Sequence, residues 1–212
     1  MKTKVAVIGT GSMGRNHARV YWEMPDVDFV GIADADIEKT AALGKKYGIQ
    51  VFNDYRKMLD EQNPDAVTIA VPTVLHYEVA LEAIDRGIHV LLEKPIALEV
   101  AQGEEIIRKA ADKNVKLQIG HIERFNPAII TLQQEIEKKI LGKIYALEAH
   151  RVGPFPARIN DVGVIVDLAV HELDIMRHIC QSEVIRVFAE TERRIHTAHE
   201  DVLSATLRME NG

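Results

Sequence analysis

Val5-Ala6-Val7-Ile8-Gly9-Thr10-Gly11-Ser12-Met13-Gly14, read together with Asp34 at the end of the next apolar run, decides the fold of this 212-residue chain. The first four residues form a short apolar run, the next six match G-x-G-x-x-G, and residues 12–22 then carry a helix-like pattern. In such a strand–turn–helix unit Gly9 permits the tight turn, Gly11 lets the backbone approach a pyrophosphate, and Gly14 lets helix and strand pack closely. The start of the helix adds unpaired N–H groups and a partial positive charge, both suited to phosphate, so Thr10, Ser12 and Met13 join the glycines as candidate cofactor contacts. Asp34 stands 20 residues beyond Gly14 (34 − 14), where a carboxylate can accept bonds from ribose hydroxyls. No Arg or Lys follows at 35–37 to receive a 2′-phosphate, which favours NAD over NADP. Taken alone, the glycine spacing also fits a purely structural turn with a solvent-facing Asp; strand, helix and acid in the right order favour the dinucleotide.

The same alternation extends outward from this unit. Val5–Ile8, Phe29–Ala33, Ala66–Ala70, His89–Leu92 and Lys116–Ile119 read as buried parallel strands, with a shorter candidate at Ile49–Phe52. They are continuously apolar, as strands covered by helices on both faces are. Helix-like segments fall at 12–22, 36–46, 54–61, 76–86 and 98–113. This rhythm predicts an α/β doubly wound parallel sheet, a dinucleotide-binding Rossmann domain over residues 1–121. The pattern then changes. Asn126-Pro127 is a capped helix start, and Ile129, Ile136 and Ile140 keep helical spacing to Leu141-Gly142. Residues 143–151 read as a strand, 152–163 as a loop, 164–179 as a helix, and 183–195 and 201–209 as two further strands. Strands arriving without intervening helices predict a second, α+β open-faced sheet domain over 122–212. Two strands near the end leave that sheet small, so either the chain is a piece of a longer protein or another subunit, in a homo-oligomer such as a dimer or tetramer, covers its open apolar face.

Bulk properties narrow the classes. A hydrophobic fraction of 47% and a charged fraction of 27% describe a globular chain rather than a disordered one. A net charge of −6 and a pI near 5.9 argue against nucleic acid or anionic membrane as general partners. No apolar run approaches the roughly 18 residues a membrane span needs, and Met1-Lys2-Thr3-Lys4 leads straight into a strand with no leader pattern. Cys180 is the single cysteine, which excludes an internal disulfide and a cysteine zinc cluster and makes the cytoplasm the default compartment.

A parallel sheet delivers the residue after every strand to one edge, where open α/β sheets bind ligands. Five segments therefore converge: the glycine turn, Asp34, Val71-Pro72-Thr73 with His76 just beyond, Glu93-Lys94-Pro95, and Gly120-His121. A lysine there, partly desolvated beside a cationic nicotinamide, suits proton exchange with an alcohol, which makes Lys94 a candidate. Lys94 also reads as a surface lysine paired with Glu93. Asp167 and His171 are four apart on the predicted helix and share a face that Asp174 and His178 continue. A carboxylate beside an imidazole serves acid–base chemistry, though a solvated helix face or a satisfied core histidine fits as well. An i, i+4 Asp/His pair can also bind metal, but no third ligand has convincing spacing, and no metal is assigned.

With Gly9–Gly14, Asp34, Glu93-Lys94-Pro95 and Asp167-x-x-x-His171 in order, the chain resembles the Gfo/Idh/MocA oxidoreductases from residue 1 to about 209. The Glu-Lys-Pro tripeptide is the most specific local mark. The resemblance implies an NAD-dependent dehydrogenase in which Lys94 and His171 flank the reacting carbinol and Asp167 supports His171 or holds substrate hydroxyls. It also implies a cis peptide before Pro95. A narrower similarity, carried by 120–127, 151–158 and 161–168, is to members that oxidise UDP-N-acetylglucosamine at C3. Such a substrate gives Arg124, Asn126, Arg151 and Arg158 a role, the arginines as possible diphosphate contacts, although exposed loop arginines fit equally. Other activities within the resemblance are oxidation of another polyol such as an inositol, NAD-dependent glycoside cleavage, and nucleotide binding without catalysis. Family members are longer than this chain, so the later strands of the second sheet are expected to be missing.

Overall fold

The computed structural model describes residues 1–154, 162–195 and 198–212. The chain divides into two compact units, Met1–Gly120 and His121–Gly212.

In the first unit, β1 (Thr3–Ile8) leads into α1 (Ser12–Glu23), β2 (Val27–Ala33), α2 (Ile37–Tyr47), β3 (Gln50–Phe52) and α3 (Tyr55–Gln62). Then follow β4 (Ala66–Ile69), a short 3-10 turn at Thr73–Leu75, α4 (His76–Asp85), β5 (His89–Leu92), α5 (Val100–Asp112) and β6 (Leu117–Ile119). All six strands are parallel and lie in the order β3-β2-β1-β4-β5-β6. That is the Rossmann arrangement, with the topological switch point between β1 and β4.

Period-two alternation along β1 explains why the strands are apolar on both faces. Val5 and Val7 join Ala18, Phe29, Ile32 and Tyr47 on one side, beneath α1 and α2. Ala6 and Ile8 join Met58, Leu59, Val79, Ile84, Leu92 and Ile106 on the other, beneath α3, α4 and α5. Local signals set the helix ends: Asp54 caps α3 by accepting from the Arg56 N–H at 2.8 Å, and Asn63 stops it in the left-handed conformation at φ 43°.

The second unit contains a 3-10 turn at Ile122–Phe125 and α6 (Pro127–Glu137), which Asn126 caps by accepting from the Ala128 N–H at 3.0 Å. A π-helical stretch, Ile165–Ala169, runs into α7 (Val170–Cys180), and β7 (Val184–Glu192) pairs antiparallel with β8 (Val202–Met209). Two expectations are corrected here. Residues 143–151 form no strand: a strand needs a ladder partner, and among the described residues β7 and β8 pair only with each other. The helix expected to run to Leu141-Gly142 ends at Glu137, with Lys139 and Gly142 at positive φ and Ile140 exposed. Among the described residues no helix is long and apolar enough to cross a membrane.

Candidate functional site

One row of aligned residues crosses the first unit's sheet: Phe52, Ala33, Ile8, Ile69, Leu92 and Ile119, each level with its neighbour. The next residue of most strands is pinned to that row. The N–H groups of Gly9, Asp34, Ala70, Glu93 and Gly120 donate to the carbonyls of Ala33, Phe52, Ile8, Ile69 and Leu92 at 2.8 to 3.1 Å. Gly9, Asp34, Ala70, Glu93 and Gly120 therefore form a common rim. Two strand spacings separate β1 from β5, so the glycine turn and the Glu93-Lys94-Pro95 segment leave the sheet about 10 Å apart.

The three glycines of the turn do different things. Gly9 sits at φ 91°, and a Cβ there would lie 2.5 Å from the Ala70 carbonyl oxygen. A Cβ on Gly14 would lie 1.9 Å from the Gly9 carbonyl oxygen, so α1 could not pack where it does. A Cβ on Gly11 would meet nothing within 4 Å. Gly11 is also the N-cap of α1, so it offers no side-chain acceptor to the first-turn N–H groups, and no acidic residue stands in that turn. These features fit an anionic diphosphate at the helix start.

Asp34 does more than face solvent. Its Oδ2 accepts from the Thr10 N–H at 2.6 Å and the Thr10 hydroxyl at 2.8 Å, and its Oδ1 accepts from the Asp36 N–H at 2.9 Å. Thr10 is thereby buried at 3% exposure. Those bonds use both lone-pair directions of Oδ2 and one of Oδ1, which leaves Oδ1 able to accept from a hydroxyl, since an ionised Asp offers about four directions in all. Arg15, a residue the sequence did not single out, donates from Nε to the Thr10 carbonyl at 3.0 Å. It places a cation against the same turn.

Lys94 is half-buried and its peptide bond to Pro95 is cis. Glu93, buried at 7% exposure, accepts from His17 Nε2 of α1 at 2.7 Å. A Cβ on Gly120 would press on that carboxylate at 3.1 Å, which is why the end of β6 carries glycine. Val71, Pro72 and Thr73 follow β4, the Pro72 carbonyl accepting from Leu75 N–H at 2.9 Å. His76 is 1% exposed, with Nδ1 2.7 Å from the Pro95 carbonyl and Nε2 3.0 Å from the Val71 carbonyl. It belongs to the frame of the rim rather than its surface. Burial pushes its pKa down, against the pull of the two carbonyls and of Glu93.

In the second unit Asp174, at 6% exposure, is the centre of a charged group. Arg124 grips it with two bonds, Nε to Oδ2 at 2.8 Å and Nη2 to Oδ1 at 2.6 Å, and His121 Nδ1 stands 3.7 Å from Oδ1. Burial pushes the Asp174 carboxyl up, but the Arg124 bonds and the charges of His121, Arg124 and His178 hold it below the usual range. Arg151 pairs with Glu172 at 2.6 Å, His178 Nε2 bonds Gln133 Oε1 at 2.9 Å, and Asn126 is occupied as the α6 cap. Arg158 lies outside the described residues. Asp167 falls in the π-helical stretch and His171 in the first turn of α7. Glu200 fixes the entry of that stretch, accepting from Ile165 N–H at 3.2 Å on its carboxylate and from Val164 N–H at 2.9 Å on its carbonyl. The ordinary α-helical spacing assumed for Asp167 and His171 thus gives way to a wider turn.

The family described as "Oxidoreductase family, NAD-binding Rossmann fold" matches residues 3–121, and "GFO/IDH/MocA C-terminal domain" matches residues 129–212. The chain belongs to the Gfo/Idh/MocA oxidoreductase family. Its first unit is that family's NAD-binding Rossmann domain. Among Gfo/Idh/MocA relatives, UDP-N-acetylglucosamine 3-dehydrogenase of Acidithiobacillus ferrooxidans is 33% identical over 99% of this chain and 64% of its own length. A solved structure of that enzyme superposes with a TM-score of 0.89 at 32% identity, over 100% of this chain and 67% of the other. Myo-inositol 2-dehydrogenase of Thermotoga maritima is 27% identical over 88% of this chain and 58% of its own length. The chain thus spans 64% and 58% of the length of these two curated relatives.

Proposed function

We propose that this chain binds NAD along the rim of its parallel sheet and takes part in oxidising a secondary hydroxyl of a sugar, C3 of UDP-N-acetylglucosamine being the favoured target. The observation that carries the reading is the shared level of the glycine turn and the Lys94 tripeptide, two strands apart on one edge. The likeness to UDP-N-acetylglucosamine 3-dehydrogenase supports the choice of sugar.

The N–H groups at the start of α1 bind the diphosphate, helped by the Arg15 cation, and Asp34 accepts from the ribose hydroxyls. Asp34 and Asp36 together repel a 2′-phosphate, which keeps the site selective for NAD. The bound nicotinamide supplies the hydride acceptor for the carbinol carbon. The neutral form of the Lys94 amine takes the hydroxyl proton at Nζ. His171 is the second proton-handling group, with Asp167 holding it or the substrate hydroxyls. Arg124 and Arg151 reach a substrate diphosphate only through hydrogen-bonding capacity that Asp174 and Glu172 leave over, so they are minor contributors to that contact. A homo-oligomer through the exposed apolar face of β7 and β8 completes the assembly, with Ile185 and Val187 at its centre.

A second reading, oxidation of an inositol, is favoured by the likeness to myo-inositol 2-dehydrogenase. NADH formation measured by absorbance with UDP-N-acetylglucosamine, inositols and simple glucosides separates the two. Lys94→Ala is expected to cut turnover by at least about 100-fold while leaving the NAD dissociation constant within about twofold. Unchanged turnover removes Lys94 from the mechanism. A glycoside cleaved without net NADH makes the chain a hydrolase, and NAD binding with no turnover on any sugar makes it a binding protein.

A further inference from the structure

The Glu93-Lys94-Pro95 segment is held from both ends by imidazoles of two different helices. On its N-terminal side the Glu93 carboxylate, 7% exposed, accepts from His17 Nε2 at 2.7 Å. On its C-terminal side the Pro95 carbonyl lies 2.7 Å from Nδ1 of His76, itself 1% exposed and tied by Nε2 to the Val71 carbonyl at 3.0 Å. A buried carboxylate is costly unless it is paired, and a hydrophobic pair at this position would serve packing at least as well. The sheet does not require it either, because β5 is already pinned by the Glu93 N–H to Ile69 and the Gly120 N–H to Leu92. What the pair adds is direction. His17 stands three residues after Gly14 on α1, the helix whose N-terminus forms the dinucleotide turn, and Glu93 is the immediate neighbour of Lys94.

We propose that His17 is a positioning residue that, through Glu93, ties Lys94 to the dinucleotide-binding helix, so that the site of the cofactor and the site of proton transfer move as one body. His76 is the second anchor of the same segment, fixing the Pro95 end against the end of β4. Gly120 completes the arrangement by leaving the Glu93 carboxylate room, since a Cβ there would stand 3.1 Å from Oε2. The inference rests on the assignment of Lys94 to proton handling.

The test compares His17→Ala, His17→Gln and Glu93→Gln with the wild-type protein. In His17→Ala, kcat is expected to fall about 100-fold, the effect of a misplacement of roughly 1 Å at the reacting group, while the NAD dissociation constant stays within about twofold. His17→Gln, whose amide can still donate to the carboxylate, is expected to recover at least about tenfold of that loss. Three results overturn the proposal: kcat in His17→Ala within about threefold of wild type, NAD affinity falling in step with kcat, or His17→Gln no better than His17→Ala. If the wild-type protein turns over no sugar, the functional reading fails by itself and the coupling is read from the Lys94 backbone amide resonance. That resonance is expected to shift when ADP-ribose, which fills the diphosphate site and lacks the nicotinamide ring, binds wild type, and to stay still in a His17→Ala protein that still binds ADP-ribose; an equal shift in both overturns the coupling.

Discussion

Asp174 is buried at 6% exposure under a two-bond grip from Arg124, although its spacing from His171 and His178 places it on a polar helical stripe. Arg124, read as a possible diphosphate contact, is thereby chiefly a structural cation of the second unit. Nothing in the local pattern could reveal this, because the partners stand 50 residues apart and a contact at that separation leaves no periodicity. The pairing has a consequence for acid stability. The folded-state pKa of Asp174 lies below its ordinary value of 3.8, so its contribution is fully present above that value and is lost as pH falls through the folded one. Asp174→Asn is expected to cost about 1–2 kcal/mol at neutral pH, discounted because the Arg124 side chain is 39% exposed. In urea unfolding followed from pH 7 down to about pH 2, the gap between wild type and variant should hold above about pH 4 and narrow below it. A gap that stays constant through that range would show that the carboxylate charge is not what matters.

At the scale of an element, the glycine turn and α1 separate fold from function. Gly14 is required by packing, since a Cβ would overlap the Gly9 carbonyl oxygen at 1.9 Å, whereas a Cβ on Gly11 meets nothing within 4 Å. Gly14→Ala is therefore expected to destabilise the first unit by about 1–3 kcal/mol, read as a fall in the midpoint of thermal unfolding. Gly11→Ala should unfold at the wild-type midpoint and yet bind NAD at least about tenfold more weakly, because the added methyl stands where the diphosphate approaches. Equal thermal midpoints for both variants, or undiminished NAD affinity in Gly11→Ala, would contradict this division. The turn was legible because Gly9 and Gly14 each have a local steric reason. The strands of the first unit were legible for a related reason, their continuous apolar runs being buried on both faces. The reading of 143–151 as a strand failed because apolar alternation is only half the requirement. A strand also needs a neighbour, and β7 and β8 pair with each other. Nothing in the local pattern marks His17, because its partner, Glu93, is 76 residues away.

At the scale of the whole molecule, the two units differ in how fully their own residues close them. The first has a complete doubly wound sheet with a packed core on each face. The second offers a two-stranded ladder whose Ile185, Val187 and Phe188 are all more than half exposed. Cofactor binding belongs to the better-closed unit, so it is the part of the account that a single chain can test on its own. The direct measurement is a structure of the protein with NAD bound. The account predicts the diphosphate on the N–H groups at the start of α1, the adenosine ribose on Asp34, and the nicotinamide ring beside the Lys94 amine at the end of β5. A dinucleotide lying elsewhere on the sheet, or a nicotinamide ring turned away from Lys94, would contradict it.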